Sequence, residues 1–200
     1  PGVHSPLQVR KAERERFKGM YDKGWDAIRA ARLEKRFGPA LERELDAQIL
    51  PDGGHVSRNP RVLVELMLDL LPLKATYAAR GFDVPRGLIG AMDRIVPHLR
   101  MLRHPDGTIA LFNGMGATQI DALATIFACH DATGRIMSDA PHAGYVRLEA
   151  GEAVLLADAG RPPPFAASAE AMAGCLSFEF SHGRQKIIVN CGLPRRAAAE

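Results

Sequence analysis

The chain has 200 residues, of which 46% are apolar and 24% are charged, and its formal net charge is +3. That length and apolar content are enough for one medium domain or a close pair of domains with a buried core. The charge is nearly balanced and no apolar run reaches the roughly 20 residues that cross a bilayer, so we expect neither a nucleic-acid partner nor membrane insertion. Three cysteines without metal-ligand spacing argue against a zinc finger and a disulfide scaffold, and leave open a single bridge between Cys175 and Cys191 on neighbouring strands.

The first two thirds of the chain follow a helical period. Residues 10–48 are predicted to be helical, with an interruption at Gly38 and Pro39, because glycine and proline break helices. The part after the interruption places apolar residues four apart, which predicts one buried face: Leu41, Leu45 and Ile49.

Three more helices are predicted downstream. Asn59 followed by Pro60 is typical of a helix start, with Asn59 as the N-cap, and Gly81 ends this second segment. A third helix is predicted from near Asp83 to the turn at residues 104–107, and a fourth over residues 118–128.

After Gly134 the apolar period shortens to about 2, which predicts strands. We expect strands at residues 144–149, 152–158, 174–181 and 186–191. The sequence therefore predicts a helical part at 1–133 and a β part at 134–200. Because four strands with one apolar face do not close a sandwich, we expect the native sheet to continue and the chain to be a fragment of a longer protein.

Five segments, in order, resemble heparinase II/III family proteins over about residues 40–194. They are Gln48-Ile-Leu-Pro-Asp-Gly-Gly-His-Val-Ser-Arg-Asn-Pro-Arg61, Leu111-Phe-Asn-Gly-Met115, Ala140-Pro-His-Ala-Gly-Tyr-Val-Arg-Leu148, Gly174-Cys-Leu-Ser-Phe-Glu179 and Val189-Asn-Cys-Gly192. The resemblance implies an α+β multidomain fold, in which incomplete α/α toroid helices precede an antiparallel β-sandwich. It also implies a polysaccharide lyase that cleaves uronic-acid glycans by β-elimination, with an acidic polysaccharide as partner and a periplasmic or cell-envelope location.

Such an elimination needs a group that neutralises the uronate carboxylate, a base for the C5 proton and an acid for the leaving oxygen. His55 lies on a glycine-flanked loop, and histidine side chains in general titrate near neutral pH, so it is our candidate base. Arg58 and Asn59 are candidates to bind the carboxylate, although a solvated arginine and a helix N-cap explain them equally well.

Three residues further along the chain complete the predicted site. Tyr145 is the candidate catalytic acid, and packing on the sheet is its alternative role. Asn113 and His142 are candidate substrate-binding residues on loops, where turn formation alone would also account for Asn113.

The chain departs from the family at two positions where relatives often carry histidines. Relatives often carry His-x-His before the strand that starts near Gly174, where this chain has Glu170 and Met172. Methionine neither transfers protons nor binds zinc as histidine does, and Asn190 stands where many relatives carry aspartate. We therefore expect no metal site and no cofactor, although relatives can hold a structural zinc.

Two other functions remain open. A non-catalytic, glycan-binding remnant of the family would keep the fold without the chemistry. A helical interaction module could use the basic segment Arg10–Arg16, which a solvated helix face explains more simply. The sequence leaves the oligomeric state and the identity of the polysaccharide open.

Overall fold

A computed structural model of the chain describes residues 27–128, 136–171 and 174–191, with side chains from residue 37 onward. The predictions for residues 10–26, including the basic segment Arg10–Arg16, and for Met172 lie outside the described residues. The described elements are α1 (Ala27–Gln48), α2 (Pro60–Ala79), α3 (Arg86–Met101), α4 (Ile120–Ala128), β1 (Asp139–Ala140), β2 (Tyr145–Ala150), β3 (Ala153–Asp158), a 3₁₀ turn (Phe165–Ala167), β4 (Phe178–His182) and β5 (Gln185–Ile188). Described helices thus precede described strands, which confirms the predicted α+β class.

The first helix corrects one prediction, because α1 runs through Gly38 and Pro39 without an interruption. Proline removes a single backbone donor from a helix. The apolar stripe of the 22-residue helix stabilises the part that follows Pro39 by packing on the core. Leu45 and Ile49 are each 3% exposed against the other helices. Packing therefore outweighs the local preference for a break.

The helix α2 begins as predicted. Asn59 has an extended backbone and its Oδ1 accepts a hydrogen bond of 3.0 Å from the Arg61 amide, with Pro60 at the first helical position. The helix ends at Ala79, followed by Gly81 at φ +69°. Both boundaries follow from capping chemistry that the sequence displays.

The helix α3 forms the centre of the helical core. One side of it is apolar and buried, since all of the following are at most 2% exposed: Leu88, Met92, Ile95, Leu99 and Leu102. The turn after it closes through a 2.9 Å hydrogen bond from the Gly107 amide to the His104 carbonyl, with Gly107 at φ +97°. The helix and this turn together carry the surface on which the sheet rests. No described helix has the length and apolar character needed to cross a membrane.

The strands form one antiparallel sheet in chain order, β1-β2-β3-β4-β5. Strands β2 to β5 match the predictions within a few residues, except that β4 starts only at Phe178, because residues 174–177 form a turn with Leu176 at φ +62°. The short β1 had not been predicted. The sheet matches the predicted antiparallel β part.

The two faces of the sheet are unequal in an unexpected direction. The face toward the helices buries polar side chains, among them Asp158, Glu179 and Ser181, each at most 1% exposed. The outer face carries an apolar row in which each residue pairs with the next across the strands: Leu148, Leu155, Phe180 and Ile188. Leu148 is 59% exposed and Ile188 43%. The helix–sheet contact is thus partly polar.

We predict that Gly53→Ala destabilises the protein by about 2–4 kcal/mol in urea unfolding. Gly53 has φ +82°, and a Cβ there would lie 1.9 Å from the Arg94 carbonyl oxygen. Gly38→Ala is the matched control, because nothing lies within 4 Å of its Cβ position and alanine favours the helix, so stability should rise by up to about 1 kcal/mol. Equal effects of the two substitutions would contradict this role of Gly53.

Candidate functional site

The loop between α1 and α2 is fixed against the sheet by Asp52. Its Oδ2 accepts hydrogen bonds from the amides of His142 and Ala143, at 2.7 and 2.8 Å. Its carbonyl oxygen lies 3.0 Å from His98 Nδ1. Burial lowers the pKa of His98, although the negative charge of Asp52 acts to raise it. The ring is therefore neutral and donates Nδ1–H to that carbonyl. Asp52 thereby sets where the following predicted site residues lie.

His55 is almost buried, at 7% exposure, and both of its ring nitrogens have partners. Nδ1 accepts a 3.1 Å hydrogen bond from the Ser57 amide and lies 2.7 Å from Ser57 Oγ. Nε2 lies 3.2 Å from Gln48 Oε1, which can only accept, so the proton of the neutral ring sits on Nε2. This geometry gives His55 a loop-stabilising role, and its role as a base stays a prediction.

Arg58 connects the loop to the sheet. Its backbone has φ +57°, and its guanidinium forms a buried ion pair with Asp158, whose side chain is fully buried. Nε donates to the Ala143 carbonyl at 2.6 Å and NH1 to the Arg161 carbonyl at 2.7 Å. Each of the three guanidinium nitrogens therefore donates to a group of the protein itself.

Tyr145 and Asn113 join the same group. Asn113 Nδ2 donates to the Tyr145 hydroxyl at 2.8 Å and to Asp158 Oδ2 at 2.9 Å. The Tyr145 hydroxyl donates to the Arg58 carbonyl, and its ring stacks on Phe112 with centroids 5.3 Å apart. Burial raises the pKa of Tyr145 well above its ordinary value, so the phenol keeps its proton.

We call Arg58, Asn113, Tyr145 and Asp158 the junction cluster. The structure brings together three residues that the sequence singled out, and adds Asp158, which the sequence analysis missed. Its signal was an acidic residue at the end of the apolar run Ala153–Asp158. The cluster is closed, because each member is at most 7% exposed and donates to or accepts from another member.

Beside this cluster lies a second arrangement, the carboxylate clamp, which consists of the side chains of Asn59 and Arg61. Asn59 Nδ2 donates to Glu170 Oε2 at 3.0 Å, and Arg61 NH2 donates to the same oxygen at 2.7 Å. Arg61 and Glu170 are 31% and 20% exposed. Arg61 Nε is buried with no hydrogen-bond partner among the described residues. The clamp thus holds a carboxylate near solvent.

His142 lies apart from both arrangements, in the exposed turn between β1 and β2. It lines an open groove of about 490 Å³ together with Val56, Arg58, Arg161 and Pro162. Its role as a substrate-binding residue stays a prediction.

A further polar group at the helix–sheet contact had no counterpart in the sequence analysis, where its histidine served only to mark a turn. His104 Nε2 lies 2.9 Å from Glu179 Oε2, and His104 Nδ1 lies 3.0 Å from Ser181 Oγ. Glu179 Oε1 accepts from the amides of Leu111 and Asn190, at 2.9 and 3.1 Å. We call His104, Glu179 and Ser181 the histidine junction. It is fully buried, so it joins the helices to β4 without access for a substrate.

The described residues contain no group of three His, Cys, Asp or Glu side chains that could hold a metal ion. Met172 is outside those residues. The expectations about zinc and cofactors therefore stay predictions.

The chain resembles known proteins over most of its length. The family description "Heparinase II/III-like, C-terminal" matches residues 132–200. FtsZ-localized protein C of Caulobacter vibrioides is 36% identical over 159 residues, which are 80% of this chain and 28% of that protein.

Two solved structures share the fold. A heparan sulfate lyase HepC mutant from Pedobacter heparinus matches with a TM-score of 0.68 at 16% identity, over 85% of this chain and 30% of that one. Heparinase III, the BT4657 gene product, matches with a TM-score of 0.65 at 16% identity, over 86% and 30%. The chain spans less than a third of each of these relatives.

We predict that Asp158→Ala destabilises the protein by about 3–5 kcal/mol in urea unfolding, because it leaves the buried Arg58 guanidinium without its counter-charge. Glu149→Ala removes the same kind of carboxylate from Arg147, but Glu149 is 48% exposed, so its cost should stay below about 1 kcal/mol. A cost for Asp158→Ala as small as that of the control would show that the pair is dispensable.

We also predict that the free energy of unfolding falls in acid through Glu179. Burial alone would raise the pKa of Glu179, but hydrogen bonds from His104 and the two amides, with the charge of Lys186 nearby, hold it below its ordinary value of 4.5. A lowered pKa stabilises the fold above pH 4.5, and this contribution is lost as pH falls from there through the lowered pKa. Chemical unfolding between pH 7 and pH 3 should show a flatter profile for Glu179→Gln, and parallel profiles would exclude this source.

Proposed function

Because this chain is a heparinase II/III-like family protein, we propose that it binds an acidic, uronate-containing polysaccharide at the contact between helices and sheet. We also propose that it does not cleave this polysaccharide. The observation that carries the proposal is the carboxylate clamp, where an amide and a guanidinium meet on one carboxylate oxygen. These are the donors that recognise a uronate carboxylate in water. Because Arg61 and Glu170 are 31% and 20% exposed, a sugar carboxylate can approach the clamp from solvent.

The absence of cleavage is proposed from the state of the junction cluster. A catalytic acid must reach the leaving oxygen with a transferable proton. Tyr145 is 1% exposed, donates its proton to the Arg58 carbonyl and has a raised pKa. Burying the phenol in this way favours a structural role for it over proton transfer.

The β-elimination predicted from the family resemblance is the competing outcome of the same experiment. It would use His55 as the base and Tyr145 as the acid, and it would require the loop to open, because both side chains are at most 7% exposed. Asn113 would have to leave Asp158 to reach a substrate. Each of these movements breaks buried hydrogen bonds, which is costly.

A second candidate function is association with FtsZ. The 36% identity to FtsZ-localized protein C favours it, since that identity is more than twice the 16% of the lyase structures. We propose a test by co-sedimentation of the chain with assembled FtsZ. If the chain pellets only with FtsZ, this function replaces glycan binding, and the envelope location expected from the resemblance gives way to the location of FtsZ.

The proposed function is tested by incubating the purified chain with heparan sulfate and alginate. Calorimetry measures binding, and ultraviolet absorbance detects the 4,5-unsaturated uronate that only a lyase releases. We expect binding without absorbance, and binding about tenfold or more weaker for Arg61→Gln, because a hydrogen bond between charged groups is lost.

Neutral dextran and the variant His55→Ala are the controls. Dextran should not bind. An absorbance rise that disappears in folded His55→Ala would establish the lyase in place of the proposal, and no binding to either uronate polymer would overturn glycan recognition.

A further inference from the structure

We infer that Glu170 acts as an internal competitor of the bound sugar, so that the carboxylate clamp binds a uronate only when the segment carrying Glu170 moves away. This rests on the proposed function and concerns the regulation of the same site.

The clamp could donate more hydrogen bonds to a carboxylate than Glu170 accepts from it. Glu170 offers one oxygen, Oε2, to both Asn59 Nδ2 and Arg61 NH2. A guanidinium usually binds a carboxylate with two parallel N–H groups. The second group, Nε of Arg61, is buried and has no partner among the described residues. A uronate could therefore use one more donor than Glu170 does.

Glu170 ends a segment that we call the proline arch, residues 159–170. The start of the arch is tied down, because Arg58 NH1 donates to the Arg161 carbonyl at 2.7 Å, and three prolines stiffen the next residues. Beyond them Phe165 is 97% exposed, and local hydrogen bonds maintain the 3₁₀ turn. Glu170 ties this exposed part to the start of α2.

The Glu170 contact is weak enough to open. Glu170 and Arg61 are 20% and 31% exposed, and ion pairs that solvent reaches contribute little to stability. The chain is tied on both sides of Glu170, at the Arg161 carbonyl and, further along, by hydrogen bonds of Leu176 and Ser177 with the Asp158 backbone. The movement that frees the clamp is therefore confined to the residues between these anchors, and the buried pair of Arg58 with Asp158 stays closed. The clamp is then exposed to an external carboxylate.

The test measures calorimetric binding of glucuronic acid and of heparan sulfate to the full chain and to Glu170→Ala. If the clamp is free in only one to ten per cent of the molecules, removing the competitor raises the apparent affinity for glucuronic acid about 10- to 100-fold. Glu152→Ala is the matched control, since it removes the same charge from a side chain that is 76% exposed, and its affinity should stay within about twofold of the unmodified chain. Adding Arg61→Gln to Glu170→Ala should abolish the gain.

The outcomes separate this inference from the proposed function. Folded Glu170→Ala that binds glucuronic acid no more tightly than the unmodified chain overturns the internal competitor, whatever the polymer does. Equal, Arg61-dependent binding of heparan sulfate to both proteins would overturn the competitor while leaving the proposed function intact. A gain for glucuronic acid without binding of either polymer would support the competitor and overturn recognition of polysaccharide.

Discussion

The structure depends on the buried ion pair between Arg58 and Asp158, which joins the loop before α2 to the end of β3 across 100 residues of sequence. Arg58 adopts φ +57°, a conformation that costs an L-residue about 1–2 kcal/mol, and taking both charges out of water costs more. The pair persists because each nitrogen of the guanidinium donates to the protein and both oxygens of Asp158 accept, with Asn113 and the Ala143 carbonyl among the partners. The pair therefore contributes more to the specificity of the fold than to its stability. It determines where the sheet sits on the helices.

A polar contact between helices and sheet explains why only part of the fold could be predicted. The helix α3 and the start of α2 followed from apolar periodicity and capping, which are local properties. Along β4, Glu179 alternates with Phe178 and Phe180, but alternation in a sequence cannot tell which set of side chains meets the helices. Here the polar set does, because His104 supplies a buried partner for Glu179. The sequence also failed to predict that α1 continues through Pro39. Packing of α1 against helices distant in sequence keeps it continuous, and a local pattern does not contain that information.

The residue types of the candidate site could be predicted, whereas their partners could not. Arg58, Asn113 and Tyr145 were singled out from loops and from a family resemblance, and they meet in one cluster. Asp158 was missed because nothing in the sequence links an acidic residue at a strand end to an arginine 100 residues earlier. The partner of Asn59 was missed likewise, since Glu170 lies 111 residues away. Pairing across such separations is a property of the fold, and periodicity contains no record of it.

The same side chains cannot hold this junction and perform an elimination without a change of state. In the described state the Tyr145 hydroxyl accepts from Asn113 and donates to the Arg58 carbonyl. Moving Asn113 or Arg58 would leave Asp158 as a buried charge with fewer partners. The clamp of Asn59 and Arg61 is different, because its carboxylate is partly exposed and replaceable. Under the proposed function, the buried junction cluster has lost catalysis, whereas the partly exposed carboxylate clamp retains recognition. In the inference drawn above, occupation of the clamp by a sugar then depends on a single acidic side chain, Glu170, leaving Asn59 and Arg61.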